Sequence, residues 1–219
     1  MRLRAVWMVA GFVLSLPAPA SSQPVRPRLL VRVYNGSGVS RARLGEAELG
    51  VRTVLTAAGV DTEWRGCAPR ADGEPAAMSC DDAIQPDEIV VRLLDAAGAS
   101  VFVPTSLGFS YVDRDTRRGW LATAFADRVD QLAGRLHISA GRLLGRTIVH
   151  EIGHLVLGTV EHAASGVMQK QLSDLTILTG GRDRFRPDEA SGLRDGVLAR
   201  TRQPLPAGAL ARLATVLVP

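Results

Sequence analysis

The sequence predicts an α+β domain with a small mixed, twisted sheet, a helix packed on that sheet, and two later helices. The chain has 219 residues, 46% of them apolar and 22% charged, which suits one globular domain and excludes wholesale disorder. Segments with strand and helix patterns follow one another in the order β-α-β-β-β-β-α-α, with no internal repeat. Together, the length, the composition and this order indicate the α+β class.

The first predicted elements are a strand, a helix and two further strands. Leu29–Tyr34 is apolar and rich in β-formers, and an Asn-Gly turn signal follows it. Ser40–Ala58 has apolar residues along one helical face, with Gly59 as a natural C-cap. The next two strands are predicted over Val60–Trp64 and Glu88–Asp95.

The remaining elements contain two strands and two helices. Leu107–Val112 alternates in polarity and is predicted as a strand, and a charged turn follows over Asp113–Gly119. Trp120–Val129 is predicted as a further strand, with a change to helix at its end as the alternative. Helices are predicted over Ser139–Gly158 and over Phe185–Leu198, the latter with Pro and two acids near its start.

The amino terminus has the pattern of a secretory signal. Arginines within residues 1–4 precede an apolar run over residues 5–16, and Ala-Pro-Ala at 18–20 fits a cleavage site. The run is shorter than the ~20 residues of a membrane span, although an uncleaved amino-terminal anchor is the alternative. The predicted organisation is a signal peptide (1–20), a Pro-rich leader (21–28), the domain (29–200) and a tail of unclear structure (201–219).

The cysteines agree with export. Cys67 and Cys80 flank a Gly/Pro/Ala-rich stretch, and in a secreted or periplasmic protein such a pair predicts a disulfide. A pair of thiolate metal ligands is the alternative, but the spacing is far from C-x-x-C.

The charge distribution argues against nucleic acid as a partner. The formal net charge is +4, but the arginines are scattered and acids lie between them. A nucleic-acid footprint requires clustered basic residues. We therefore expect no nucleic-acid partner. The mature chain is also expected to be a monomer without a stable membrane span.

Residues 150–154 read H-E-I-G-H, an H-E-x-x-H motif inside the helix predicted over Ser139–Gly158. His150 and His154 lie one turn apart on one helical face, so both imidazoles can reach one Zn²⁺ at ~2.1 Å. Glu151 lies beside the pair, where its carboxylate can hold a water and accept its proton during attack on a carbonyl. The alternative is a pair of surface histidines with a chance glutamate. The apolar flanks predict a buried helix, in which polar residues need a function.

A catalytic zinc site usually has three protein ligands, so a third residue must join the pair. The helix breaks at a glycine and the chain can turn back, which makes His162 the predicted third ligand. Glu161 is the near alternative because a carboxylate would also serve, and Asp188 or Glu189 in the last helix is the remote one. The remaining histidine, His137, is expected to pack or to be solvated.

The extended motif resembles a known clan of enzymes. Residues 150–162 form H-E-x-x-H-x-x-x-G-x-x-x-H, and S-G-V-M follows at 165–168. This combination resembles the metzincin clan of zinc metallopeptidases, and is similar in particular to secreted bacterial proteins with a comparable motif. The resemblance implies three histidine ligands to zinc, Glu151 as general base, and Met168 in a tight turn beneath the metal. Metzincins have two residues, not three, on each side of the glycine.

The order of elements also resembles the metzincin amino-terminal subdomain. There an edge strand runs antiparallel above the cleft and pairs with the substrate backbone. The resemblance implies this role for Leu107–Val112, with Leu107, Gly108, Phe109 and Ser110 as substrate-binding residues. An ordinary sheet strand is the alternative.

These observations predict a secreted zinc-dependent metalloendopeptidase with Zn²⁺ as cofactor and a peptide or protein as substrate. One alternative is a zinc hydrolase that acts on a non-protein amide or a small peptide. The other is a secreted domain that binds zinc without catalysis, which would not need the carboxylate of Glu151.

Overall fold

Five strands and four helices make up the described part of the chain. A computed structural model of the protein describes residues 26–67, 80, 82–96, 106–170 and 183–202. The strands are β1 (Arg28–Asn35), β2 (Asp61–Cys67), β3 (Glu88–Leu94), β4 (Gly108–Asp113) and β5 (Arg118–Phe125). The helices are α1 (Arg41–Ala57), α2 (Ala126–Leu136), α3 (Ala140–Leu157) and α4 (Pro187–Arg202).

The five strands form one mixed sheet in the order β2-β1-β3-β5-β4. The pairs β1–β2, β1–β3 and β3–β5 are parallel, whereas β4 runs antiparallel to β5. β4 has β5 on one side and no described strand on the other, so it is an edge strand of the sheet.

The main core lies between one face of this sheet and the helices α1 and α3. Alternate residues of the strands point to this face, as a period of two requires. Leucine, valine and isoleucine supply most of the buried volume, because the chain has few aromatic residues. Fully buried members are Leu29, Leu55, Ile89, Leu93, Leu144, Ile148 and Ile152.

The opposite face of the sheet holds a buried ion pair. The Nε of Arg32 lies 2.5 Å from Oε1 of Glu88, and both side chains are almost inaccessible to solvent. The same guanidinium donates hydrogen bonds to the backbone carbonyls of Cys80 (3.2 Å) and Asp82 (2.8 Å). These bonds hold the segment before β3 against the sheet.

Capping residues set the ends of the site-bearing helix. Ser139 Oγ accepts a hydrogen bond from Arg142 N at the start of α3, and Gly158 ends it in the left-handed conformation with φ 63°. α3 also lies very close to α1, since a Cβ at Gly145 would approach the carbonyl oxygen of Ala47 to 2.7 Å. The small residues at this crossing let the two helix backbones approach closely.

The predicted α+β class is confirmed, and the predicted elements follow one another in the predicted order, with shifts at their ends and one additional helix, α2. The strand predicted over Trp120–Val129 stops at Phe125 and continues as α2, so the strand interpretation was wrong beyond that point and the alternative was right. The second strand extends to Cys67, and the last helix starts at Pro187. β1 begins inside the predicted leader, and α4 extends two residues into the predicted tail.

The predicted Cys67–Cys80 disulfide is present, with an S–S distance of 2.00 Å. The predicted signal peptide, most of the leader and the tail from residue 203 lie outside the described residues. Among the described helices, none is long and apolar enough to cross a membrane.

Candidate metal centre

The helix α3, which contains the H-E-x-x-H motif, lies in the interior of the fold. Fourteen of its residues are buried, including Glu151 and His154. The helix packs on the sheet, on α1 and on α4, so its polar side chains cannot simply turn to solvent. The motif is therefore part of the interior, as the apolar flanks predict.

His150 and His154 face each other across one helical turn. The Nδ1 of His150 lies 2.7 Å from the carbonyl oxygen of Val167, and the Nδ1 of His154 lies 2.8 Å from that of Thr159. A carbonyl oxygen can only accept, so each Nδ1 carries the hydrogen and each neutral ring presents an Nε2 lone pair. These two Nε2 atoms are 3.1 Å apart.

His162 completes a group of three imidazoles. Its ring centroid lies 5.3 Å from that of His150 and 4.8 Å from that of His154. One nitrogen from each ring falls within 4.8 Å of the others. The turn that brings His162 back depends on Gly158, because a Cβ there would collide with the carbonyl oxygen of Arg117.

The donor set fits a divalent cation such as zinc. Tetrahedral zinc with bonds of ~2.1 Å places its ligand nitrogens about 3.4 Å apart, close to the observed separation of the first pair. Burial lowers the pKa of His154 to about 4, and burial also lowers the pKa values of His150 and His162. All three rings are therefore neutral at pH 7, the form in which imidazole binds metal.

Glu151 is buried beside the histidines and is held from the edge strand. Ser110 on β4 donates from Oγ to Glu151, with Oε2 at 2.6 Å and the backbone oxygen at 2.8 Å. Burial raises the pKa of the Glu151 carboxyl to about 7, while the hydrogen bond from Ser110 opposes that rise. Gly108 makes this approach feasible, because a Cβ there would lie 3.0 Å from Oε1 of Glu151.

Met168 lies directly against α3 in the turn that follows His162. A Cβ at Gly153 would collide with its sulfur and would lie 3.0 Å from Cε1 of Phe185. The turn is closed by a hydrogen bond from Ala163 N to the carbonyl oxygen of Met168 at 2.8 Å. The neighbouring Val167 carbonyl holds His150, so this turn supports the histidine group from below.

The other candidate ligands lie elsewhere or have other partners. Glu161 is exposed and is not part of the three-imidazole group. Glu189 accepts a hydrogen bond from Arg186 N at 2.7 Å and so caps α4, and Asp188 pairs with the Arg186 side chain. His137 is exposed and ends α2 in a left-handed conformation, which agrees with the expected solvated position.

The site opens into a cleft of about 900 Å³. β4 forms one wall, and the antiparallel edge strand predicted above the cleft is therefore observed. Leu107 O accepts a hydrogen bond from Phe125 N, so by alternation the backbone groups of Gly108 and Ser110 point to the open side. The four predicted substrate-binding residues, Leu107, Gly108, Phe109 and Ser110, all line the cleft.

The chain is similar to two solved metallopeptidase structures. Archaemetzincin from Methanopyrus kandleri matches with 13% identity and a TM-score of 0.49, over 78% of this chain and 97% of that one. Metalloproteinase-II from Bacteroides fragilis matches with 15% identity and a TM-score of 0.49, over 78% of this chain and 53% of that one. No protein-family model and no curated protein matches the sequence. The similarity is one of backbone fold, and it assigns no role to any residue of this chain.

Several contacts of the site have no signal in the sequence. The carbonyl groups of Val167 and Thr159 orient the histidines through the backbone, which side-chain patterns do not reveal. The bond from Ser110 to Glu151 depends on how β4 lies over α3. The helix α2, which forms a second wall of the cleft, was predicted only as the alternative, although its sequence does carry a helix signal. Asp127 lies in its first turn, and its apolar residues follow at helical spacing.

Proposed function

We propose that this protein is a secreted zinc-dependent metalloendopeptidase with Glu151 as its general base. The observation that carries the proposal is the convergence of three neutral imidazoles and a buried carboxyl on one cleft beside an antiparallel edge strand. These are the residue types that metal-assisted hydrolysis of an amide requires, in one place.

His150, His154 and His162 would hold the metal, and the set of three imidazole ligands is typical of catalytic zinc. When bound, zinc supplies Lewis-acid polarisation of the carbonyl under attack. The backbone carbonyls of Val167 and Thr159 orient the rings of His150 and His154. These hydrogen bonds also make the Nε2 lone pairs more basic and so better metal ligands. Met168 packs beneath this group as the floor that the metzincin resemblance implies.

Glu151 would move the proton in the reaction. A water attacks the scissile carbonyl carbon and gives one proton to Glu151, which then passes it to the leaving amine nitrogen as the C–N bond breaks. In the metal-free chain burial raises the pKa of this carboxyl to about 7. A Zn²⁺ nearby would lower the pKa again and so favour the ionised form that a general base requires. Ser110 fixes the direction of the carboxylate.

The substrate would lie along β4 in an extended conformation. The outward backbone groups of Gly108 and Ser110 can pair with its main chain, which gives affinity without demanding one sequence. The amino-terminal pattern of residues 1–20 and the Cys67–Cys80 disulfide support export of the chain.

Glu151→Gln tests the proposal. The amide keeps the size of the side chain and can still bond to Ser110, but it cannot accept the proton. We expect unchanged zinc content and a loss of kcat/KM on an unstructured protein substrate such as casein by about 10²–10⁴-fold. Zinc per chain by mass spectrometry and initial rates are the measurements. Full activity in this variant would exclude Glu151 as the base, and a zinc-loaded wild type without hydrolysis would indicate a non-catalytic zinc domain.

A further inference from the structure

Arg146 is a buried cation on α3, one helical turn before His150. Its side chain is 6% exposed, and its NH1 forms an ion pair with Asp183, whose side chain is 32% exposed. Within the described part of the chain, the Nε and NH2 atoms of Arg146 have no hydrogen-bond partner. Burial lowers the pKa of this guanidinium, because the charged form loses its hydration. Arg146 therefore depends on Asp183 for its counter-charge.

Neither substrate binding nor net stability accounts for this ion pair. Arg146 is among the residues that line the cleft, but its three side-chain nitrogens are inaccessible to solvent. A substrate carboxylate or carbonyl therefore cannot reach them while Asp183 stays in place. A buried ion pair also adds little to stability over a packed apolar pair, because lost hydration offsets the attraction. The contacts around Asp183 indicate a different role.

Asp183 begins a short segment, residues 183–186, that lies against the turn containing Val167. The carbonyl oxygen of Arg184 accepts a hydrogen bond from Val167 N at 3.1 Å. Gly166 permits this approach, since its φ of 84° is left-handed and a Cβ there would lie 2.7 Å from the same carbonyl oxygen. The position of Asp183 therefore sets the position of the Val167 backbone through one intervening residue.

These contacts close a ring that begins and ends on α3. Arg146 binds Asp183, and the carbonyl of the next residue holds the backbone N–H of Val167. The carbonyl oxygen of Val167 in turn lies 2.7 Å from Nδ1 of His150 and accepts its hydrogen. Arg146 and His150 are four residues apart, which is ~6 Å along the helix axis. The ion pair and the metal ligand thus hold the same turn from two neighbouring points of one helix.

We propose that Arg146 and Asp183 form a positioning pair for the metal centre, which holds the Val167 carbonyl against Nδ1 of His150. The proposal rests on the proposed function for the metal site and not for the hydrolysis. The buried pair defines one geometry, because any other arrangement leaves the guanidinium without its counter-charge. The hydrogen bond at Nδ1 fixes the ring and presents Nε2 to the metal. The pair therefore controls metal affinity without touching the metal.

Two variants and a control test the proposal. Asp183→Asn keeps the size of the side chain, but it leaves the buried guanidinium uncompensated and so also destabilises the fold. The double variant Arg146→Met/Asp183→Asn removes both charges and keeps a flexible, unbranched side chain at position 146. This variant separates positioning from stability. Asp188→Asn is the matched control, since it removes an exposed acid that pairs with Arg186.

Two readouts report on the folded site and not on stability. Zinc affinity is measured by competition with a chromophoric chelator. In the metal-free protein, nitrogen NMR shifts of labelled histidine show which ring nitrogen of His150 carries the hydrogen, at a pH where the ring is neutral. Urea unfolding of each variant is measured alongside, so that both readouts are taken where the chain is folded.

We expect the double variant to be more stable than Asp183→Asn, yet to bind zinc about tenfold more weakly than wild type. Its metal-free form should show a mixture of the two neutral forms of the His150 ring, because the bond at Nδ1 is no longer fixed. Asp188→Asn should match wild type in both readouts. If the double variant bound zinc as tightly as wild type and kept the hydrogen on Nδ1, the proposal would be overturned.

The same measurements separate this proposal from the peptidase function. A wild type that binds zinc without hydrolysis, together with weaker zinc binding by the double variant, would support the positioning pair and remove the peptidase function. An active wild type whose double variant keeps both the zinc affinity and the hydrogen on Nδ1 would overturn the positioning pair and leave the peptidase function in place.

Discussion

Glu151 couples the stability of the metal-free protein to pH. Its carboxyl has a pKa of about 7 in the folded chain against 4.5 for the free side chain, because burial disfavours the charge. Between these two values the folded protein holds a proton that the unfolded chain has released. The free energy of unfolding therefore falls as the pH rises through this window, by about 3 kcal/mol in total.

Glu151→Gln should remove this dependence in the metal-free protein. We expect the stability of the variant relative to wild type to rise by about 3 kcal/mol between about pH 5 and about pH 8, measured by urea unfolding in the presence of a chelator. His154, with its pKa lowered to about 4, has the opposite pH dependence, but it is present in both proteins and cancels. If the free energies of unfolding of Glu151→Gln and wild type differed by the same amount at both pH values, the result would contradict the buried position of the Glu151 carboxyl.

His162 is the exposed member of the histidine group, so its removal should affect the metal and not the fold. We expect His162→Ala to weaken zinc binding by more than about 100-fold, because a bound ion loses one of three protein ligands. Zinc per chain after dialysis and the chelator concentration for half-removal measure this effect. His137→Asn is the control, since it changes an exposed histidine that ends α2. Equal zinc in both variants would move the third ligand away from His162.

At the level of elements, α3 and the turn of residues 163–169 act as one unit. Gly153 leaves room for Met168 on the helix, and the adjacent Val167 carbonyl orients His150. The orientation of His150 therefore depends on the close contact between Gly153 and Met168, neither of which is a candidate metal ligand.

Gly153→Ala should disturb that unit. The added methyl displaces Met168 and Phe185, so the Val167 carbonyl shifts from Nδ1 of His150. We expect a loss of about 1–3 kcal/mol in stability and a 10–100-fold weaker zinc affinity. Gly134→Ala on α2, where a Cβ meets nothing within 4 Å, should instead stabilise the protein slightly. If Gly153→Ala kept full zinc affinity, the turn would have no part in orienting His150.

Local sequence patterns predicted most elements. They failed where contacts between elements determine a boundary or a side-chain partner. The H-E-x-x-H helix was predictable because its ligands, caps and apolar flanks lie within one continuous segment. The start of α2 was not, since Phe125 caps it without a side-chain hydrogen bond and the apolar run continues across the boundary. The bond from Ser110 to Glu151 joins residues 41 apart in sequence and depends on the register of β4.

On the scale of the whole molecule, the disulfide and the metal centre lie at opposite edges of the sheet. Cys67 is the last residue of β2, at one end of the order β2-β1-β3-β5-β4, while β4 borders the cleft at the other end. Cys80 is also held by hydrogen bonds to its carbonyl from Arg32 NH1 and from Tyr34 OH. The disulfide should therefore contribute to folding and not to the site.

Reduction of the disulfide should lower the stability of the chain while leaving the folded site intact. The bridge closes a loop with a sequence separation of 13. Its loss should cost about 3 kcal/mol, mainly through greater freedom of the unfolded chain. A phosphine reductant suits the measurement, because Cys67 is buried and Cys67→Ser would add a polar-group penalty of its own. Urea unfolding should show the loss, while zinc content and kcat/KM below the transition stay unchanged. A parallel loss of zinc in the still folded, reduced protein would show that the two edges of the sheet are coupled.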